Sequence, residues 1–225
     1  MKLLAIETAT EACSVALLIN GEIIDRHEVA PRQHNELILP MCEHVLAEAD
    51  VSINALDGIV FGCGPGAFTG VRIAASVAQG IAFAHDLPVI PISTLENLAS
   101  QKGAKAGESI LSAIDARMDE IYWAVYTINT SGSLENRIAE QVQAPEQIDL
   151  EGVQIDWGLG TGWGTYKTIL QDKTHITDAQ ISASALPTAK IAVQIAKTKF
   201  LNGDMVTAEN AIPVYLRNNV AHKKQ

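Results

Sequence analysis

The chain has only three cysteines, Cys13, Cys42 and Cys63, and no C-x-x-C pair. That excludes a disulfide framework and a zinc knuckle and leaves the thiols as small hydrophobes for a core. Its six histidines, His27, His34, His44, His85, His175 and His222, include no H-x-x-x-H or H-E-x-x-H spacing. Even on one continuous helix, His34 and His44 would stand roughly 80° apart and nearly three turns separated, so they cannot share an ion. Ser14, Ser76 and Ser93 lack a G-x-S-x-G setting, which leaves a hydrolase reading unsupported. Basic residues number 16 against 26 acidic ones, a formal net charge of -10 that full protonation of the histidines would not reverse. Such a surface repels phosphate backbones, and a direct RNA-binding module, the third functional reading, conflicts with it and lacks an aromatic RNA-recognition motif. The one basic cluster, Arg217 to Lys224, is either a contact to RNA held by a partner or a solvated tail. No apolar run approaches a membrane span, and Glu7 interrupts the first one too early for a signal peptide. The expected location is cytoplasmic, with no membrane partner.

What is present is an ordinary globular composition, 48% hydrophobic and 19% charged in 225 residues, enough for one large domain or two small ones. The most informative stretch is Gly62-Cys63-Gly64-Pro65-Gly66-Ala67-Phe68-Thr69-Gly70-Val71-Arg72. An apolar strand (Ile59, Val60, Phe61) enters it and a helical pattern leaves it near Thr69 or Gly70. Unpaired N–H groups at that helix start suit an anion or a partner. The stretch is no standard phosphate loop, since no Lys-Ser or Lys-Thr follows, and it does not fit G-x-G-x-x-G followed by a ribose acid. The alternative is a tight strand-to-helix turn whose glycines serve backbone geometry alone.

The two halves echo each other. Leu3 to Glu7, Cys13 to Ile19 and Glu22 to Val29 read as a three-strand meander, with Asn20-Gly21 as a hairpin turn. A helix (Asn35 to Ala49), a strand (Ala55 to Phe61), the glycine loop, a helix (Gly70 to His85), a strand (Pro88 to Ile92) and a helix from Ser93 follow. In the second half, Ile110 to Asp115 and Ile121 to Ile128 repeat the opening, and Trp157-Gly158-Leu159-Gly160-Thr161-Gly162 echoes Phe61 to Gly66 ahead of a helix from Trp163 to Leu170. The expectation is a duplicated α/β unit, against a chance likeness of two α/β halves. It places a first domain at 1–104 and a smaller second at 105–225, whose C-terminal tail is free to pack back on the first. Duplicated meanders with mixed sheets flanked by helices suggest the actin, Hsp70 and sugar-kinase (ribonuclease-H-like) superfold. There Glu7 and Asp115 would approach each other and hold a hydrated Mg²⁺, or each would merely cap its own turn. An ATP-dependent small-molecule kinase of that superfold is the second functional reading.

The helix after the glycine loop is apolar nearly all round, with Val71, Ala74, Ala75, Ala78 and Ala82 on it, and Ala74, Ala78 and Ala82 spaced for close helix approach. The helix before it carries Leu37, Ile38, Met41 and Val45. Either these residues form a partner or dimer interface, or the two helices cover one another and the sheet.

Together, Leu4-Ala5-Ile6-Glu7-Thr8-Ala9-Thr10-Glu11-Ala12-Cys13-Ser14-Val15-Ala16, Gly64-Pro65-Gly66-Ala67-Phe68-Thr69-Gly70-Val71-Arg72, Ile114-Asp115-Ala116-Arg117-Met118 and Pro213-Val214-Tyr215-Leu216-Arg217 resemble the bacterial TsaB (YeaZ) family. The resemblance spans essentially the whole chain. It implies the two-domain superfold and a role in making N6-threonylcarbamoyladenosine beside the anticodon of certain tRNAs. In that family the catalyst is a related partner, TsaD, helped by the ATPase TsaE and supplied with threonylcarbamoyl-AMP by TsaC-type enzymes. The chain would then be a non-catalytic subunit, a homodimer when alone, meeting the TsaD-type catalyst through the same helical surface and tRNA only through the complex. No catalytic residue, metal ligand or cofactor of its own is expected, with ATP or ADP and Mg²⁺ placed at the complex interface. Glu7, Gly64, Pro65, Gly66, Thr69, Gly70, Arg72, Asp115 and Arg117 are the candidate nucleotide or interface residues. One departure stands out: the family's first strand more usually ends in Asp where this chain has Glu7.

Overall fold

The computed structural model describes residues 1–217, so the basic stretch beyond Arg217 lies outside the described residues. The first unit comprises Met1–Gly103 and Leu186–Pro213, and the second comprises Ala104–Ala185 with 214–217. The chain passes from the first to the second within the Gly- and Lys-bearing stretch around residue 103. It returns at Leu186 to add a helix to the first unit.

In the first unit, β1 (Lys2–Glu7), β2 (Ala12–Ile19) and β3 (Glu22–Val29) form the meander, and β4 (Gly58–Gly64) and β5 (Val89–Ser93) extend it in parallel. The sheet order is β3-β2-β1-β4-β5. β1 is buried on both faces, which is why it reads as an unbroken apolar run instead of alternating. Its even residues Leu4 and Ile6 join a core with α1 (His34–Glu48) and α2 (Phe68–His85). Its odd residues Leu3 and Ala5 join another with α6 (Ala189–Asn202). Ser93 caps α3 (Thr94–Ser100), its Oγ accepting the N–H groups of Leu95 and Glu96 at 3.1 Å each.

The second unit repeats the plan. β6 (Ser109–Arg117), β7 (Glu120–Ile128) and β8 (Leu134–Gln143) form a meander, and β9 (Trp157–Leu159) and β10 (Ile181–Ser182) extend it in parallel. The sheet order β10-β9-β6-β7-β8 is that of the first sheet read from the other edge. The helix expected over Trp163 to Leu170 is two short ones, α4 (Gly162–Thr165) and α5 (Lys167–Thr174), broken at Tyr166 where φ is -119° and ψ 29°. Trp123 and Trp163 anchor the core. Among the described residues no helix is long and apolar enough to cross a membrane.

Candidate functional site

The ends of β1 and β4 bring Glu7 and the glycine loop together. Glu7 is completely buried. Its Oε1 accepts the Ala9 N–H at 2.7 Å, while Oε2 has no partner and presses on Gly62. Burial pushes the Glu7 carboxyl up from 4.5 to about 7, against the lowering effect of the Ala9 and Thr8 backbone N–H groups. A Cβ added at Gly62 would lie within 2.6 Å of three carboxyl atoms. Gly62→Ala is therefore expected to destabilise the fold by about 1–3 kcal/mol, read as a fall in the urea midpoint. An unshifted midpoint would contradict this contact.

The loop closes on the β1–β2 turn of its own unit. The Ala67 N–H donates to the Ala9 carbonyl at 2.7 Å and Thr8 Oγ1 donates to the Gly70 carbonyl at 2.8 Å. A Cβ at Gly70 would sit 2.0 Å from the Thr8 carbonyl oxygen, so only glycine allows the contact. Gly64 and Pro65 are buried and Gly66 half-buried, whereas Thr69 and Arg72 reach the surface.

Asp115, at the corresponding place in the second unit, serves its own turn. Its Oδ1 accepts the Arg117 N–H at 2.8 Å, and its Oδ2 takes bonds from Arg117 Nη1 at 3.1 Å and Thr165 Oγ1 at 3.3 Å. A hydrated Mg²⁺ needs carboxylate oxygens open to its water shell. Neither acid fits that need within its unit, Glu7 being sealed against Gly62 and Asp115 being spent on its turn. Among the described residues no three His, Cys, Asp or Glu side chains gather to hold a metal. Burial pushes the Cys13 thiol up to about 11 and the Cys42 thiol up to about 12, too high for a nucleophile at neutral pH.

Val71, Ala74, Ala75, Ala78 and Ala82 on α2 and Ile38 and Val45 on α1 are buried in the first unit's own core, with Leu37 and Met41 packed at its edge. The alanine stripe is what lets α2 lie close on the sheet. The surface left for a partner is the outer face of the same helices. There a groove of about 430 Å³ runs between α1 and α2, floored by Ile38, Ile73 and Val77 and walled by Asn35, Leu39, Phe68, Thr69, Arg72 and Ser76. Leu39 is 51% and Phe68 47% exposed, large apolar side chains open to solvent on a helix pair that already has a core face. The Arg72 guanidinium stacks 3.6 Å from the Phe68 ring centroid. Leu39 and Phe68 escaped the sequence reading, although an apolar residue off the alanine stripe is a signal for them.

Two such units in tandem define an actin-like α/β protein of two domains. A family model described as "TsaD: tRNA N6-adenosine threonylcarbamoyltransferase" matches residues 25–225. The chain belongs to the TsaB (YeaZ) family. It is 41% identical to the "tRNA threonylcarbamoyladenosine biosynthesis protein TsaB" of Escherichia coli (strain K12), over 100% of this chain and 98% of that protein. It is 40% identical to the protein of that name from Haemophilus influenzae, over 100% and 97%. The solved structure of YeaZ from Pseudomonas aeruginosa superposes with a TM-score of 0.85 at 42% identity, covering 96% of this chain and 99% of that one.

Proposed function

We propose that this chain is a non-catalytic subunit in the formation of N6-threonylcarbamoyladenosine in tRNA, holding a TsaD-type catalyst that works with a TsaE-type ATPase. The end-to-end relationship to proteins named for that biosynthesis supports the pathway. The groove between α1 and α2 carries the assembly role. It offers an aromatic anchor and an arginine beside an apolar floor, the residue types that dominate interface energetics. In the absence of the catalyst a second copy of the chain covers the same face. tRNA is met through the complex, consistent with the acidic surface. ATP or ADP with Mg²⁺ belongs at the complex interface, because Glu7 and Asp115 are both committed inside their own units.

Phe68→Asp tests the groove directly. The side chain is half exposed, so the variant should melt close to wild type, while a charge in the groove should weaken catalyst binding at least about thirtyfold, the effect of a 2 kcal/mol hot spot. Titration calorimetry with the TsaD-type protein of the same cells, and sedimentation of the chain alone, read both effects. Binding at the wild-type level would place the partner on another surface.

A further inference from the structure

Neither helix that walls the α1–α2 groove has a side-chain cap at its start. Gln33 precedes α1 and Ala67 precedes α2, and neither side chain accepts from its helix. Both starts are tied instead to one short turn, Thr8 to Glu11 between β1 and β2. On the α2 side these ties are the two bonds described above, from the Ala67 N–H to the Ala9 carbonyl and from Thr8 Oγ1 to the Gly70 carbonyl. On the α1 side His34, almost fully buried, places Nε2 2.9 Å from the Thr10 carbonyl oxygen. A carbonyl only accepts, so Nε2 carries the hydrogen and donates, in the neutral ring and the imidazolium alike. The segment leading into α1 is drawn to the same turn, with the Ala30 N–H on the Glu11 carbonyl at 3.1 Å.

The fold does not require such a turn to be buried. The corresponding turn of the second unit, Met118-Asp119 between β6 and β7, is exposed, whereas Thr8, Ala9 and Thr10 are buried. The tied positions are also the sequence neighbours of the groove. Asn35 follows His34 directly, and Phe68 and Thr69 lie between Ala67 and Gly70. Across the groove itself the walls leave open space, so side-chain contact does not set their separation there. The turn does, braced from below by the bond between the Glu7 carboxyl and the Ala9 N–H.

We propose that His34 is a positioning residue for partner binding: through the Thr10 carbonyl it ties the start of α1 to the turn that also holds α2, and so fixes the separation of Asn35 from Phe68 and Thr69 across the groove. This rests on the groove assignment made above. The gain is preorganisation. A groove whose walls are fixed beforehand loses little freedom when a partner fills it, whereas a loosened one must be ordered at the expense of affinity.

His34→Ala removes the donor, and His34→Gln keeps one, since a glutamine amide nitrogen can take the place of Nε2. The alanine variant should melt roughly 2–4 °C lower and lose about tenfold in affinity for the TsaD-type protein by calorimetry. The glutamine variant should recover most of that affinity. Thr8→Val cuts the tie to the other helix and should weaken binding in the same way, which keeps the test open if His34→Ala does not fold. Spin labels at Asn35→Cys and Thr69→Cys, on labelled chain diluted into unlabelled chain, read the spacing without the partner. Their distance distribution should broaden in His34→Ala and return to the wild-type width in His34→Gln, a change that a merely stabilising bond elsewhere in the core would not produce. A folded variant that binds at the wild-type level, or an unchanged label distance, would overturn the positioning role and leave the groove assignment standing. A wild-type chain that does not bind the catalyst at all would sink the functional reading itself, and the positioning role with it.

Discussion

Ala78→Arg is expected to abolish folding, leaving the protein in the insoluble fraction. Ala78 has no solvent exposure and lies in the core that α2 shares with the sheet and α1. An arginine there must displace neighbouring side chains and bury a cation without a counter-charge. Overpacking costs about 1–3 kcal/mol and an unpaired buried charge several more, which together consume most of the roughly 5–15 kcal/mol that holds a domain. Read from the sequence as a docking stripe, the same alanine predicts a soluble protein with weakened assembly, so the experiment separates the two placements of this face. The check is soluble yield and far-ultraviolet circular dichroism beside Phe68→Asp. A soluble Ala78→Arg protein with a native melting curve would mean that α2 turns another face to its sheet.

Glu7→Gln is expected to make the protein more stable than wild type above neutral pH. The Glu7 carboxyl titrates at about 7 when folded against 4.5 ordinarily, because burial penalises the charged form. For an acid with a raised folded value, the stabilising contribution is complete below pH 4.5. It falls as pH climbs toward 7 and levels off above, for a total of about 3 kcal/mol. Glutamine keeps an acceptor for the Ala9 N–H and has no charge to bury. Urea unfolding of both proteins between pH 4 and 9 should therefore give stabilities whose difference moves in favour of the variant by about 3 kcal/mol across that window. Other titrating groups cancel in the difference. Curves that stay parallel would show that Glu7 ionises freely in the folded protein.

Much of the first unit is legible in the sequence because its elements carry undiluted local signals. Buried β1 is an apolar run, Asn20-Gly21 supplies the positive φ values of its hairpin, and Ser93 is both the last residue of β5 and the cap of α3. The duplication is legible too: Glu7 ends β1 and Asp115 stands two residues before the end of β6, and Gly62 on β4 and Gly158 on β9 belong to glycine-rich stretches that lead into the following helices. In the structure each of those glycines makes room for a side chain of its own unit, the Glu7 carboxyl and the Trp163 ring. β8 is hidden because it is an edge strand in which Ile138 alone is fully buried, so its sequence, LENRIAEQVQ, hardly alternates. The return of α6 to the first unit is hidden too, since its apolar face does not say which sheet it covers. The candidate interface shows the same limit. A helix apolar on nearly every side announces burial, but only the packing decides that Ala74, Ala78 and Ala82 face inward and Phe68 and Arg72 outward.

The most direct measurement is the N6-threonylcarbamoyladenosine content of total tRNA, by mass spectrometry of digested nucleosides, after this protein is depleted from its own cells. The account predicts that the nucleoside is lost, that the re-expressed wild-type chain restores it, and that Phe68→Asp does not. An unchanged level after complete depletion would contradict it.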